Sequence, residues 1–216
     1  MKYNTDLLKS VFTNIYTHNL WGSNESRSGI GSTKKYTESI QDILCDFIKE
    51  KDIKTMIDTS CGDWNWMRHI SDKLPKYTGI DIVEDIVIKN SKHFGNENIK
   101  FVNSDFISYI KNLPSKSIDL ILCRHTLEHL PETYNLDFIK LAKSVCRYLM
   151  VTTHTLCNKN ENLIYPNTYR PINMQLKPYN FIDNYLMDIK YDGPKEKKLT
   201  EMNICVYAFG DMNENI

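Results

Sequence analysis

The chain has no excess charge of either sign: Lys plus Arg number 27, and so do Asp plus Glu. A balanced chain has no net field to draw in nucleic acid or an anionic membrane surface, so neither is expected as a partner. No apolar run approaches the ~18 residues that a membrane span requires. The start, Met1-Lys-Tyr-Asn-Thr-Asp, lacks a basic region followed by an apolar stretch, and so does not read as a signal peptide. Cys-x-x-Cys pairs are absent too. The six cysteines (Cys45, Cys61, Cys123, Cys146, Cys157 and Cys205) are scattered, several within apolar runs. They read as buried reduced thiols in a cytoplasmic protein, with no disulfide framework and no metal site. Internal repeats and low-complexity linkers are also missing. What remains is 216 residues, 41% hydrophobic and 25% charged, enough for one domain with a continuous core.

Within that length the pattern alternates. Residues 1–31 read as an arm, with a short helix around Leu7 to Tyr16 and then the Gly/Ser-rich Trp21 to Ser32. Helical spacing sets in after Ser32/Thr33 with Tyr36, Ile40, Ile43, Leu44, Phe47 and Ile48. Five short strand-like runs follow, at 55–59, 77–82, 99–103, 118–123 and 148–153. Helix-like stretches near 65–73, 83–93, 106–111 and 132–146 separate them, the last opened by Pro131. Strands that alternate with helices predict a parallel sheet covered on both faces. Beyond Thr155 a polar, Pro- and Asn-rich stretch leads to two more apolar runs, 185–191 and 202–209. These are expected to pair as an antiparallel hairpin, joined by a solvated loop carrying Lys195-Glu-Lys-Lys198.

The strongest local signal is Met56-Ile-Asp-Thr-Ser-Cys-Gly-Asp-Trp64, an apolar strand ending in a tight turn. Ligands of open parallel sheets bind at such carboxyl ends, where the backbone must come close, and Gly62 removes a side chain there. Asp81 ends the next strand about 20 residues on, the offset at which a carboxylate reaches ribose hydroxyls. The third strand ends in Asn103-Ser-Asp-Phe106, an acidic acceptor for an adenine amino group beside an aromatic ring.

Asp58-Thr-Ser-Cys-Gly-Asp-Trp64 resembles motif I of class I S-adenosylmethionine-dependent methyltransferases, with Ser60 and Trp64 where two of the usual glycines stand. Asp81 resembles that family's ribose-binding acid, and Asp105 with Phe106 its adenine-binding pair. Ile118-Asp-Leu-Ile-Leu-Cys-Arg-His-Thr-Leu-Glu-His-Leu resembles the fourth-strand motif that faces the transferred methyl group. A narrower likeness lies in Ile15 to Ser32, Ser60 to Met67, Tyr169-Arg-Pro-Ile-Asn-Met174 and Pro178-Tyr-Asn-Phe181. These segments resemble a bacterial and viral subgroup associated with glycan or capsule modification. The resemblance implies a Rossmann-like, doubly wound, seven-stranded, mostly parallel sheet with a C-terminal antiparallel hairpin. It also implies a domain over residues 32–216, with residues 1–31 folded over its active site.

The implied cofactor is S-adenosylmethionine, held by Asp58, Ser60, Cys61, Gly62, Asp81, Ile82, Ser104, Asp105, Phe106, Cys123 and Trp21. The implied reaction is O-methylation of a sugar, nucleotide-linked or within a glycan, by a monomer or homodimer. An alcohol acceptor must lose its proton near neutral pH, which suits a histidine. His125 is the first candidate base, His154 the second and His129 the third, with Arg124, Tyr169, Arg170 and Asn173 positioning the acceptor. A phosphorylated or phosphoramidate-type capsule precursor, and a catalytically silent cofactor-binding partner protein, stand as alternatives. An NAD-binding domain fits less well, because Ser60 and Trp64 break the Gly-x-Gly-x-x-Gly fingerprint. His125-Thr-Leu-Glu-His129 also spells a zinc-peptidase pattern, but His125 directly follows an apolar strand, whereas that pattern needs both histidines on one helix. Trp64 and Trp66 read equally well as staples between the turn and the core.

Overall fold

A computed structural model describes residues 4–163, 168–181, 185–190 (backbone only) and 202–210. The arm opens with helix α1 (Thr5–His18), capped by Asn4, whose side chain accepts from the Leu7 amide at 3.1 Å. A short 3-10 helix (Ile30–Ser32) then leads into α2 (Lys34–Glu50). Strands β1 (Thr55–Asp58), β2 (Lys76–Asp81), β3 (Ile99–Asn103), β4 (Ile118–Cys123) and β5 (Cys146–His154) alternate with helical segments. These include α3 (Glu84–Phe94), α4 (Phe106–Ile110) and α5 (Glu132–Val145). One segment expected to be helical, near 65–73, is instead a kinked 3-10 run, Met67–Lys73, with Ile70 outside helical geometry.

The strands lie in the order β3-β2-β1-β4-β5-β7-β6, where β6 is Tyr185–Lys190 and β7 is Met202–Ala208. The first five pair in parallel, whereas β7 runs antiparallel to both β5 and β6. The architecture is thus a Rossmann-like, mostly parallel sheet closed by a C-terminal antiparallel hairpin. The loop expected at Lys195–Lys198 lies outside the described residues.

Alternation along each strand builds two cores. Ile57, Ile121, Cys123, Leu149, Val151, Cys205 and Tyr207 face one side with Phe106, Phe138 and Ile139. Met56, Leu120, Leu122, Tyr148, Met150, Ile204 and Val206 face the other with Leu44, Phe47 and Trp64. A sheet buried on both faces has near-continuous apolar strands, as β4 and β5 do. Gly79 is needed for close approach: a methyl group there would lie 2.9 Å from the Cys61 Cβ and 3.0 Å from the Phe101 ring. The strand order reverses between β1 and β4, and a crevice opens at the carboxyl ends on either side of such a switch.

Candidate active site

That crevice is a cleft at the carboxyl ends of the strands, where ligands of open α/β sheets bind. Its floor comes from the strand ends: Asp58 to Cys61 after β1, Asp81 and Ile82 after β2, Ser104 to Phe106 after β3, and Arg124 to Thr126 after β4. The arm supplies a facing wall through Leu8, Phe12, Tyr16, Trp21, Ser28 and Ser32.

The turn after β1 holds the arm through carboxylates. Asp63 accepts from Ser26 Oγ at 3.0 Å, Ser28 Oγ at 2.9 Å and the Arg27 amide at 2.7 Å. Glu25 reaches back to the Lys34 amide at 2.6 Å and to Asn65 Nδ2 at 2.8 Å, and the first of these lowers its pKa most. Gly62 has a left-handed φ of +55°, and a side chain there would overlap Ser28 Oγ and come within 2.9 Å of the Tyr16 hydroxyl. This corrects the expected role of Gly62: the space left by its missing side chain is filled by the arm, not by the cleft. Trp64 adopts φ +56° in place of a family glycine and is held there by Tyr77, Phe94 and Phe101 at ring separations of 5.0–5.7 Å. It is a staple in the core. Trp66 instead lines the cleft, with the Arg124 guanidinium 5.5 Å from its ring.

The carboxylates of the β1–β3 half are buried. Asp58 accepts from the Tyr77 hydroxyl at 2.9 Å, and burial raises its pKa to about 7. Asp81 takes the Gly62 amide on one oxygen at 3.0 Å and the Val83 amide on the other at 2.9 Å. Burial raises its pKa to about 6 against those bonds. Each Asp81 oxygen keeps a lone pair for a further donor. Asp105 caps α4 by accepting from the Ile107 amide at 2.8 Å, and it also accepts from the Tyr134 hydroxyl at 2.5 Å. Asp105, expected from the sequence to meet an adenine, thus also holds α4 and Tyr134 in place. Cys123 does not line the cleft: one residue beyond Leu122, it points to the opposite face of the sheet and is packed in the core, where burial raises its thiol pKa.

The β4–β5 half carries the imidazoles. His125 has a left-handed φ of +53° and donates its amide to Thr152 Oγ1 at 2.9 Å. Its ring lines the cleft, Nδ1 lying 3.8 Å from Glu128 Oε1. His125 precedes a single 3-10 turn, Leu127–His129, that His129 ends, and the two do not share an α-helix. His129 sits between the rings of Trp21 and Tyr169, 5.8 Å from each centroid. Trp21 is therefore packed against the domain, but half-buried instead of fully covered. Arg124 donates to the Gly31 carbonyl at 2.6 Å, tying β4 to the arm.

Three sequence expectations on this side are corrected. His154 is fully buried; its Nδ1 lies 3.1 Å from the Ile172 amide, its Nε2 2.7 Å from the Tyr169 hydroxyl, and burial lowers its pKa to about 4. It supports the 168–181 segment and does not line the cleft. Arg170 points inward, donating to the Leu130 carbonyl at 2.7 Å. Asn173 is buried and donates to the Cys157 carbonyl at 2.9 Å. Both lie under the segment because it returns across the end of β5, a path that no local pattern encodes. Tyr169 is the one exposed member of that acceptor group. Residues that sequence reasoning missed are Thr59, Ser32, Thr126, Tyr134 and the α1 face (Leu8, Phe12, Tyr16), whose helical spacing was the available signal.

A switch-point cleft with an acid ending β2 and another following β3 is the nucleotide-type site of an open α/β sheet, and the family to which the chain belongs makes it a methyltransferase that uses S-adenosylmethionine. The chain belongs to the family described as Methyltransferase domain, whose profile matches residues 33–195. No curated protein matches it by sequence. Among solved structures it is similar to magnesium protoporphyrin IX methyltransferase from Synechocystis PCC 6803 with bound SAM, at 14% identity and TM-score 0.65, covering 97% of this chain and 99% of that one. It is also similar to 1,6-didemethyltoxoflavin-N1-methyltransferase from Burkholderia thailandensis, at 13% identity and TM-score 0.66, covering 95% and 88%. A third similar structure is the N-methyltransferase NodS from Bradyrhizobium japonicum WM9, at 10% identity and TM-score 0.66, covering 94% and 98%. At such identities the likeness concerns the fold. The residues present fit the cofactor: Asp81 keeps accepting capacity for ribose hydroxyls, Asp58 faces the cleft at the β1 turn, and Phe106 offers a ring beside Asp105. Among the described residues no helix is long and apolar enough to cross a membrane.

Proposed function

We propose that the protein methylates a sugar hydroxyl, nucleotide-linked or within a glycan, with His125 as general base. The observation that carries this reading is the position of His125: it lies two residues beyond the end of β4, lines the cleft, and is anchored through its backbone to Thr152. When bound, the cofactor supplies an electrophilic methyl group on a sulfonium, already a good leaving group. The chain's own part is to align the acceptor, exclude water and remove a proton. His125 Nε2 would take the proton of the acceptor hydroxyl as that oxygen receives the methyl group. The Trp66 ring and the hydroxyls of Ser32, Ser60 and Thr126 line the same cleft, an apolar plate and polar rim that suit a polyhydroxyl acceptor. Trp21 and the rest of the arm shield the reacting atoms from bulk water.

The test is incubation with methyl-labelled S-adenosylmethionine and a panel of nucleotide sugars, followed by mass spectrometry of the products. Label on a sugar oxygen is expected. Label only on nitrogen or on a phosphoryl oxygen would remove the hydroxyl reading.

A further inference from the structure

We infer that Glu128 is the positioning partner of His125, holding the imidazole with Nδ1 turned inward so that Nε2 faces the cleft as the base. The inference deepens the proposed role of His125 and rests on it, but its geometry is independent. The Glu128 carboxyl is 1% exposed, and its Oε1 has no hydrogen-bond partner among the described residues. A buried carboxyl oxygen left in that condition is costly unless a donor comes to it. The nearest basic nitrogen is His125 Nδ1 at 3.8 Å, three residues earlier across the Leu127–His129 turn. The other end of the ring points the opposite way: a methyl group built on Gly31 would lie 3.6 Å from His125 Nε2. The ring thus spans from a buried acid to the inner surface of the arm. A 3.8 Å approach is loose, as such pairs often are before the reacting complex forms.

The chemistry follows from the proton count. With the Glu128 carboxylate at Nδ1, the neutral imidazole carries its hydrogen there, and Nε2 has the lone pair that takes the acceptor proton. The imidazolium then formed is met by a negative charge, and its proton leaves to solvent through the half-buried ring. If Glu128 were protonated and donating to Nδ1, the ring hydrogen would sit on Nε2 and block that step. Burial raises the Glu128 pKa to about 7, opposed first by the Glu128 backbone amide and then by Arg124 just after β4 and Arg170 from the 168–181 segment. The Glu128 charge also acts on the Tyr169 hydroxyl and the Cys123 thiol, raising both. The base is therefore expected to become competent as pH rises through neutrality.

Histidine-selective NMR on the full-length protein tests the pairing without needing the acceptor. The His125 signals are identified by their loss in His125→Gln and followed from pH 5 to 9, with and without S-adenosylhomocysteine. In Glu128→Gln the His125 midpoint is expected to fall by about one pH unit or more, because an opposite charge within 4–6 Å has been removed. The Nδ1–H tautomer should give way to a mixture. Glu128→Asp, which withdraws the carboxyl by one methylene, should give a smaller fall, and it serves as the readout if the glutamine variant does not fold. An unchanged midpoint and tautomer in both variants would overturn the inference. A midpoint that moves in a protein that methylates no sugar supports the pairing and overturns only the acceptor reading.

Discussion

The two halves of the cleft are built from opposite chemistry. The β1–β3 half presents Asp58, Asp81 and Asp105, while the β4–β5 half presents Arg124, His125 and His129. Acids suit a ligand that arrives with hydroxyl and ammonium donors; an imidazole suits an acceptor that must lose a proton. The switch in strand order is what brings them face to face, since β1 and β4 are neighbours in the sheet although about 60 residues apart in sequence. The halves also differ in how they are covered. The acidic half is closed by the arm, through exposed or half-buried hydrogen bonds to Asp63 and Glu25. The basic half is underpinned by the 168–181 segment through buried bonds of His154 and Arg170.

The sharpest way to separate the halves is His125→Ala. Loss of a general base typically costs ~10²–10⁴-fold, so turnover should fall by that much while S-adenosylhomocysteine affinity stays within a few-fold. Steady-state kinetics with calorimetry checks both; a fall under fivefold, or lost cofactor affinity, would make His125 structural. The mirror experiment is Asp81→Ala. Charge-assisted hydrogen bonds of ~1.5–3 kcal/mol are lost, so cofactor affinity should drop roughly 10- to 100-fold. Unchanged affinity would remove Asp81 from the site.

Titration sets the buried acids against His154. The raised pKa values of Asp58 and Asp81 mean that the ligand-free fold gains stability when they are protonated, fully below about pH 3.8 and lost as pH rises through 6 to 7. His154 acts oppositely: its lowered pKa contributes stability present above pH 6.5 and lost as pH falls through about 4. Between pH 6.5 and 8 the buried acids Asp58, Asp81 and Glu128, all raised by burial, lose their protons in the fold, so the ligand-free protein should lose on the order of 1–2 kcal/mol of stability there, read as a falling melting temperature. Saturating S-adenosylhomocysteine should flatten the decline, and a flat melting profile without ligand would contradict the buried-acid account.

The smallest effect should come from the arm. Ser28→Ala removes hydrogen bonds to Asp63 and Tyr16, each contributing about 1 kcal/mol, and should loosen the wall without unfolding the sheet. Proteolysis within residues 19–32 should quicken and cofactor affinity fall by a few-fold. Unchanged proteolysis would mean that the clasp does not depend on Ser28.

Much of this was written locally. Apolar runs and helical spacing marked the strands to within two or three residues, since alternation and helix periodicity depend only on near neighbours. Acids at strand ends identified Asp58, Asp81 and Asp105, and all three line the cleft. The polar arm with its large aromatic pointed to a cover, and Trp21 does form part of the wall. Other assignments turned on a single step of parity or on a distant return of the chain. Cys123 and Leu122 differ by one residue and face opposite layers. His154 looked like a free histidine after a strand, yet β5 runs through it and the 168–181 segment covers it. Gly62 was legible as a glycine needed for space, but not that Ser28 and Tyr16 would fill the space. The sequence alone determined the order of elements and the acids at their ends, because short-range sterics and periodicity decide these. Only the tertiary structure decided which face each side chain meets, because that depends on segments brought together from far along the chain, Arg124 against Gly31 and Ser28 above Gly62 among them.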